Sequence, residues 1–234
     1  MNFSKKLAVS LLALSMTASL AACSSGQGST PSAAPSAAPS AAPSTAPVES
    51  TTPAGNTPSG NENSGGASSA EFDGKLHGPF VMTTCGQSTG SVMCHMVATQ
   101  AGVTSTDEHQ LLADELDTVA PDAKTLIIST GTSGKGMGAA GTDVNDEIDR
   151  CTAVAQAAKD KGMVVVCAHV EGMSRRTDAN DQASIDAILP LADVIVCVEE
   201  SDSDGLFSNY AQEHGIPIIT AKDTLSLSEY MTAE

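Results

Sequence analysis

The feature that most narrows the fold is a set of short runs that are apolar almost throughout, each leading into a helical pattern. Phe80–Thr84, Lys124–Ser129, Met163–Ala168 and Asp193–Val198 read as strands of this kind. A strand with one wet face alternates apolar and polar residues, whereas a strand covered on both faces does not. Helices between such strands supply the covering layers. The fold class expected is therefore α/β, a three-layer sandwich with a mainly parallel sheet, Rossmann-like or flavodoxin-like.

Asp143–Lys161 carries the clearest helical stripe, with Val144, Ile148, Cys151, Ala155 and Ala158 on one face. Thr142 or Asp143 can cap it and Gly162 ends it. Further helices are expected at Gly90–Gln100, with Val92, Met96 and Val97 inward, and at Glu108–Leu116, Asp181–Leu189, Leu206–His214 and Ser226–Met231. Val103–Asp107 reads as a short edge strand. Ile216–Thr220 reads as the last strand, and its Pro217 suits an edge.

The Lys124 strand runs into Thr130–Gly141, which has glycines at 131, 134, 136, 138 and 141 among Thr130, Thr132, Ser133 and Lys135. A strand feeding such a loop and then a helix is how α/β proteins surround small anions with amides and hydroxyls. The letters Gly136-x-Gly138-x-x-Gly141 match the dinucleotide fingerprint. Three features argue against that use. The first of these glycines comes several residues after the strand, the export signal described below places the chain away from NAD, and Asp143, Asp146, Glu147 and Asp149 would repel a pyrophosphate. The P-loop pattern fails as well, because Gly136 follows Lys135 where a hydroxyl for magnesium belongs. No cofactor is expected.

In a parallel sheet the loops after successive strands share one rim. Here these are Cys85–Ser88, Thr130–Gly141, His169–Asp178 and Glu199–Gly205. The candidate ligand-binding residues on that rim are Gln87, Ser88, Thr130, Ser133, Lys135, Gly136, His169, Arg175 and Arg176. Guanidinium forks suit carboxylates and phosphates. The adjacent arginines diverge, so one is free to face the crevice while the other pairs with Asp178 or Asp181. His169-Val170-Glu171 lacks the Pro-Cys-x-x-Cys that zinc deaminases need. No Gly-x-Ser-x-Gly elbow surrounds Ser88 or Ser133, and nothing in the spacing selects a Ser88, His169 and Asp178 triad. The acidic stretch Glu199–Asp204 lacks the EF-hand pattern and reads as a solvated turn. No metal site is expected.

The first seventy residues stand apart from this domain. Lys5 and Lys6 precede the apolar run Leu7–Leu20, which has signal-peptide length and is too short to span a bilayer well. It ends Leu20-Ala21-Ala22-Cys23, which resembles the lipobox of bacterial lipoproteins. That resemblance implies cleavage after residue 22, lipidation at Cys23 and attachment to the extracytoplasmic face of the cell membrane. Residues 23–70 contain three tandem Pro-Ser-Ala-Ala tetrads from Pro31 and then a Gly/Asn/Ser/Thr stretch. With almost nothing to bury, they are expected to form a disordered tether. Residues 71–234 are the single folded domain.

The formal net charge is −17, and removing Lys5 and Lys6 leaves 9 basic against 28 acidic residues, or −19. Such a chain excludes nucleic acid as a partner. Phe72, Phe80, Phe207, Tyr210 and Tyr230 are the domain's only aromatic residues, so base- or sugar-stacking platforms are not expected either. Five cysteines follow Cys23, at 85, 94, 151, 167 and 197, with no Cys-x-x-Cys. Cys167 and Cys197 lie in apolar runs and read as buried thiols.

Cys85-Gly86-Gln87-Ser88, Gly131-x-Ser133-x-Lys135-Gly136-x-Gly138-Ala139-Ala140-Gly141, Arg175-Arg176 and Asp204-Gly205-x-Phe207 together resemble a family of uncharacterised bacterial exported domains, a domain of unknown function. The resemblance covers most of Phe80–Thr220. In that family a glycine usually follows the arginine pair; Thr177 stands here. The resemblance implies domain limits and motif positions and no reaction. The expected function is that of a surface-tethered lipoprotein domain binding a small anionic ligand, with a transporter or sensor as partner. The alternatives are an extracytoplasmic hydrolase or transferase using His169 with Cys85 or Ser88, and a protein-interaction module.

Overall fold

The structure, a computed structural model, describes residues 72–233. The expected signal peptide, lipidation at Cys23 and tether lie outside the described residues. The elements are β1 (Leu76–His77), β2 (Phe80–Cys85), α1 (Gly90–Gln100), β3 (Ser105–Asp107), α2 (Leu116–Val119), β4 (Thr125–Thr130), α3 (Gly134–Ala140), α4 (Val144–Asp160), β5 (Val164–His169), α5 (Ala179–Ile188), β6 (Val194–Val198), α6 (Leu206–His214), β7 (Ile218–Ala221) and β8 (Met231–Thr232).

Six strands form one parallel sheet in the order β3-β2-β4-β5-β6-β7. The chain winds outward from β2 to β3, then crosses back to β4 and runs the other way. This is the doubly wound order of flavodoxin-like folds with one more strand, and its switch point lies between β2 and β4. β1 and β8 pair separately in parallel, Leu76 opposite Met231.

Two apolar clusters sandwich the sheet. One face packs Val81, Leu126, Ile128, Val165, Cys167 and Ile195 against α4, α5 and α6, through Cys151, Val154, Ile185, Ile188 and Phe207. The other packs Met82, Ile127, Val166 and Val196 against α1 and the 3-10 turn Leu225–Tyr230, through Cys94, Val97, Ala98 and Leu227. β2, β4 and β6 are buried along their whole length, which is why they are apolar without alternation.

The structure departs from the sequence expectation in several places. Met96 is 65% exposed, and α1 turns Ser91, Cys94, Val97 and Ala98 inward instead. Gly90 decides this, since a Cβ there would stand 1.9 Å from Ser129 Oγ, so the small side of the helix must face the sheet. Residues 108–116 form no single helix; a 3-10 turn at Ala113–Glu115 leads into α2. β7 is an edge strand as expected, but it begins one residue after Pro217, whose carbonyl accepts from Ile195 N. The Ser226–Met231 helix is a 3-10 turn.

The largest departure is α3. Residues 134–140 were expected to be irregular loop, yet they are helical despite three glycines. Ser133 caps the helix by accepting from Gly136 N, Met137 anchors it in the interior, and Gly141 ends it at φ +72°. The fingerprint glycines are thus inside a capped helix or at its stop, which removes the geometry that a dinucleotide loop needs.

Candidate functional site

The carboxyl edge of the sheet gathers the loops after β2, β4, β5 and β6, and the side chains there fall into three groups.

At the switch point the loops after β2 and β4 close on each other. Gln87, at φ +56°, bridges Thr132 in antiparallel fashion, and Ser133 N donates to the Gly86 carbonyl over 2.8 Å. A Cβ on Gly136 would come within 2.2 Å of the Gln87 carbonyl oxygen, so α3 presses on that loop through its glycine. Glu147 enters from α4, only 2% exposed. It accepts from Gly86 N at 3.1 Å and Gln87 Nε2 at 3.0 Å and pairs with Arg150 at 2.7 Å. Arg150 also donates to the Thr84 and Leu111 carbonyls. Asp181 enters from α5, likewise 2% exposed. It accepts from the amide and hydroxyl of Thr132 at 2.8 and 2.7 Å and from the amide and hydroxyl of Thr177. Ser184 Oγ accepts from Gly131 N and donates to the Cys85 carbonyl. Burial alone would raise the Asp181 carboxyl, but the Thr177 and Thr132 hydrogen bonds outweigh it and hold it below the usual range. Here the Gly86 amide, the Gln87 side-chain amide and the amide and hydroxyl of Thr132 are taken by the chain's own carboxylates.

The second group surrounds Glu171, whose side chain is 8% exposed. Thr89 Oγ1 donates to Oε2 at 2.8 Å and Arg175 Nε donates to it at 3.0 Å. Burial pushes this carboxyl up, yet hydrogen bonds from Ser88, Thr89 and Arg175 bring it below its ordinary value. Oε1 has no hydrogen-bond partner, and neither have the neighbouring Ser129 Oγ and Ser91 Oγ. Arg175 also donates to the Thr132 carbonyl at 2.7 Å, tying this group to the switch point.

The third group is His169 with Arg176. His169 is fully buried; its Nδ1 faces Thr130 Oγ1 at 3.1 Å, and its ring stacks on Phe207 with centroids 5.3 Å apart. Burial drives its pKa down to about 4, against a smaller opposing effect of the Gly172 backbone. Arg176 forks onto Asp204 at 2.6 and 2.7 Å and donates to the Ser201 carbonyl. Neither arginine pairs with Asp178 or Asp181 as expected, because those two carboxylates cap α5 and hold Thr132 and Thr177.

Of the candidate residues, Gln87, Ser88, Thr130 and His169 are buried, Ser133 and Gly136 begin α3, Arg175 and Arg176 are bound to carboxylates, and Lys135 is exposed. Ser88 Oγ meets Thr84 Oγ1. His169 hydrogen bonds with neither Cys85 nor Ser88, and all three are fully buried. Glu147, Glu171 and Asp181 went unassigned to the site from sequence. A signal for Glu147 was present, since it lies four residues before Cys151 and three after Val144, on the buried stripe of α4. Among the described residues no cluster of three or more His, Cys, Asp and Glu side chains is arranged to hold a metal ion.

Beside Glu171 a groove of about 220 Å³ opens at the carboxyl ends of β5, β6 and β7. Met93, Val170 and Val198 give it apolar walls, and Glu171, Glu200, Lys222 and Asp223 give it charge. Glu200, Lys222 and Asp223 are exposed, and among the described residues Lys222 makes no ion pair.

Solved structures match parts of this chain at low scores. A GDSL-like lipase from Bacteroides thetaiotaomicron matches at 10% identity and a TM-score of 0.33, over 60% of this chain and 66% of that one. A putative acylhydrolase from Bacteroides fragilis matches at 9% identity and a TM-score of 0.31, over 60% and 65%. The RcsB response regulator of Salmonella typhimurium matches at 17% identity and a TM-score of 0.32, over 66% and 68%. The chain thus spans just under two thirds of the length of the first two. At these scores none of the three bears on what this chain does. A comparison with curated protein sequences finds no match. A family model matches residues 77–234, more than half of the chain. The chain belongs to the family described as Domain of unknown function (DUF6305).

Proposed function

We propose that this chain is a lipoprotein, anchored through Cys23 on the extracytoplasmic face of the membrane, whose domain binds a small carboxylate-bearing ligand and presents it to a transporter or sensor. The observation that carries the reading is the groove at the carboxyl ends of β5–β7. Lys222 offers it a positive charge that makes no ion pair among the described residues, Glu200 and Glu171 offer negative charge, and Met93, Val170 and Val198 offer apolar contact. A zwitterion of amino-acid size with an apolar side chain satisfies all three, and about 220 Å³ suits a ligand below drug size. Binding is preferred to hydrolysis because Cys85, Ser88 and His169 are fully buried, out of reach of a substrate.

The test is a thermal-shift panel of amino acids, simple carboxylates and phosphates on the full chain. A ligand at a hundred times its Kd stabilises by about 2.7 kcal/mol. Apolar amino acids should raise the melting temperature, and Lys222→Ala should abolish that rise. A flat response across the panel rejects the binding reading. The anchor is tested apart, by incorporation of labelled fatty acid that Cys23→Ala eliminates.

A further inference from the structure

The five cysteines of the described residues are all free thiols and all buried, but they are not equivalent. Cys94 lies on the α1 face of the sheet, alone. Cys167 contacts the Thr130 hydroxyl, and Cys197 lies 3.6 Å from Thr220 Oγ1. Cys85 and Cys151 differ, because α4 sets the Cys151 thiol against the end of β2 beside Cys85, where each thiol shifts the other. Cys85 is the last residue of β2 and Cys151 sits mid-way along α4; both are fully buried in one apolar cluster. Cys151 Sγ also lies 3.5 Å from the carbonyl of Thr84, the residue before Cys85. Two thiols held in contact across a helix–strand interface need little rearrangement to be joined.

We propose that Cys85 and Cys151 close an internal disulfide when the chain folds in the presence of a disulfide oxidant. In the first step one of the two sulfurs, as thiolate, attacks the oxidant's disulfide, forming a mixed disulfide and releasing one oxidant thiol. In the second its partner attacks the protein sulfur of that mixed disulfide and releases the other thiol. Two electrons and two protons pass from the cysteine pair to the oxidant, which leaves as two thiols. Because both sulfurs are sealed in the finished fold, the exchange belongs to the stage before α4 docks on β2. The thiol contact is asymmetric in the folded chain. The neighbouring Cys151 thiol draws Cys85 below the usual thiol range, while Cys85 and burial hold Cys151 well above it.

The bond would fasten the junction that Glu147 closes by hydrogen bonding. Glu147 lies one helical turn before Cys151 and holds Gly86 and Gln87, the residues after Cys85. It would also enclose most of the chain between β2 and α4, a long loop whose closure constrains the unfolded state.

The experiment is to refold the full chain from a reduced, denatured state with oxidised glutathione, denature it again, alkylate and map peptides by mass spectrometry, scoring Cys23 separately. The expected result is one linked peptide pair, Cys85 with Cys151, lighter by two hydrogen atoms, with Cys94, Cys167 and Cys197 alkylated. Its melting temperature should exceed that of the reduced chain by several degrees. Cys85→Ala and Cys151→Ala should each remove the linked pair, and the double variant's melting temperature should no longer respond to the oxidant. Alkylation of all five thiols in the refolded wild-type chain would overturn the proposal. So would any other pairing, or a linked form that melts below the reduced one.

Discussion

Two places on the same edge of the sheet are built from the same parts and end differently. The junction of β2 and β4 and the groove over β5–β7 both combine hydroxyls, carboxylates and glycines at positive φ, Gly86 and Gly131 at one and Gly172 at the other. At the junction, α4 and α5 drive Glu147 and Asp181 into the loops, and the amides of Gly86 and Thr132 are spent on them. At the groove, Glu200 and Asp223 stay on the surface and Lys222 stays unpaired among the described residues. A glycine-rich loop with free donors is therefore an anion site only after the acids of its neighbouring helices are counted. In a chain carrying 28 acidic residues, the nearest anion is its own side chain.

The contrast breaks first at Glu147. Removing it by Glu147→Ala leaves the Arg150 guanidinium, 10% exposed, without its carboxylate, leaves Gly86 N without an acceptor, and leaves Gln87 Nε2 with the His109 carbonyl alone. Deleting one partner of a buried pair costs about 3–5 kcal/mol. Denaturant unfolding should show a loss of that size, and a change under about 1 kcal/mol would mean the junction is not sealed as described.

A second test uses pH. His169 in the folded chain titrates at about 4, against about 6.5 unfolded. Between those values the unfolded chain binds the extra proton, so stability is full above pH 6.5 and falls as pH drops toward 4. The gap corresponds to about 3 kcal/mol at 1.36 kcal/mol per pH unit. His169→Phe, which keeps a ring against Phe207, should flatten that slope. Below pH 4 the loss continues as Asp181 and Glu171, whose carboxyls are held low, become protonated. An unchanged slope between pH 6.5 and 4 in the variant would assign it to other groups.

Next in size is a pair of glycines. Gly136→Ala would push a methyl against the Gln87 carbonyl, a backbone atom that cannot swing away. Overpacking of this kind costs about 1–3 kcal/mol. Gly138, two residues on, has nothing within 4 Å of a built Cβ. Gly138→Ala should stabilise α3 by up to about 1 kcal/mol through helix propensity. A dinucleotide loop would need both glycines; a capped helix pressed on Gln87 needs only the first. Equal melting temperatures for the two variants would refute the packing account.

These outcomes also mark what could be read from sequence. The parallel sheet was legible because β2, β4, β5 and β6 are apolar runs covered on both faces, and α4 because Ile148, Cys151, Ala155 and Ala158 repeat at helical spacing. α3 was not, since its glycines oppose helix formation and the local Ser133 cap is joined by tertiary causes, buried Met137 and contact with Gln87. The β1–β8 pair was missed because two residues per strand carry no period. The rim was placed correctly, but which donors remained free depended on how far α4 and α5 rotate Glu147 and Asp181 inward. Asp143, at the start of α4, caps the helix while Glu147, four residues on, closes the junction, and both read from sequence as acids at a helix start.

The smallest effect separates the two lysines of the edge. Lys135 follows the first residue of α3, exposed and without an ion pair among the described residues. A surface charge of that kind contributes within about 0.5 kcal/mol, so Lys135→Ala should leave the unfolding midpoint nearly unchanged. Lys222 is equally exposed, and Lys222→Ala should be just as silent in the free protein. The two part when ligand is present. If the junction is filled by Glu147 and Asp181, ligand-induced stabilisation survives Lys135→Ala and disappears with Lys222→Ala. The reverse result would return the ligand to the glycine-rich loop, where it would have to displace an internal carboxylate, and that displacement would appear as binding that tightens in Asp181→Asn.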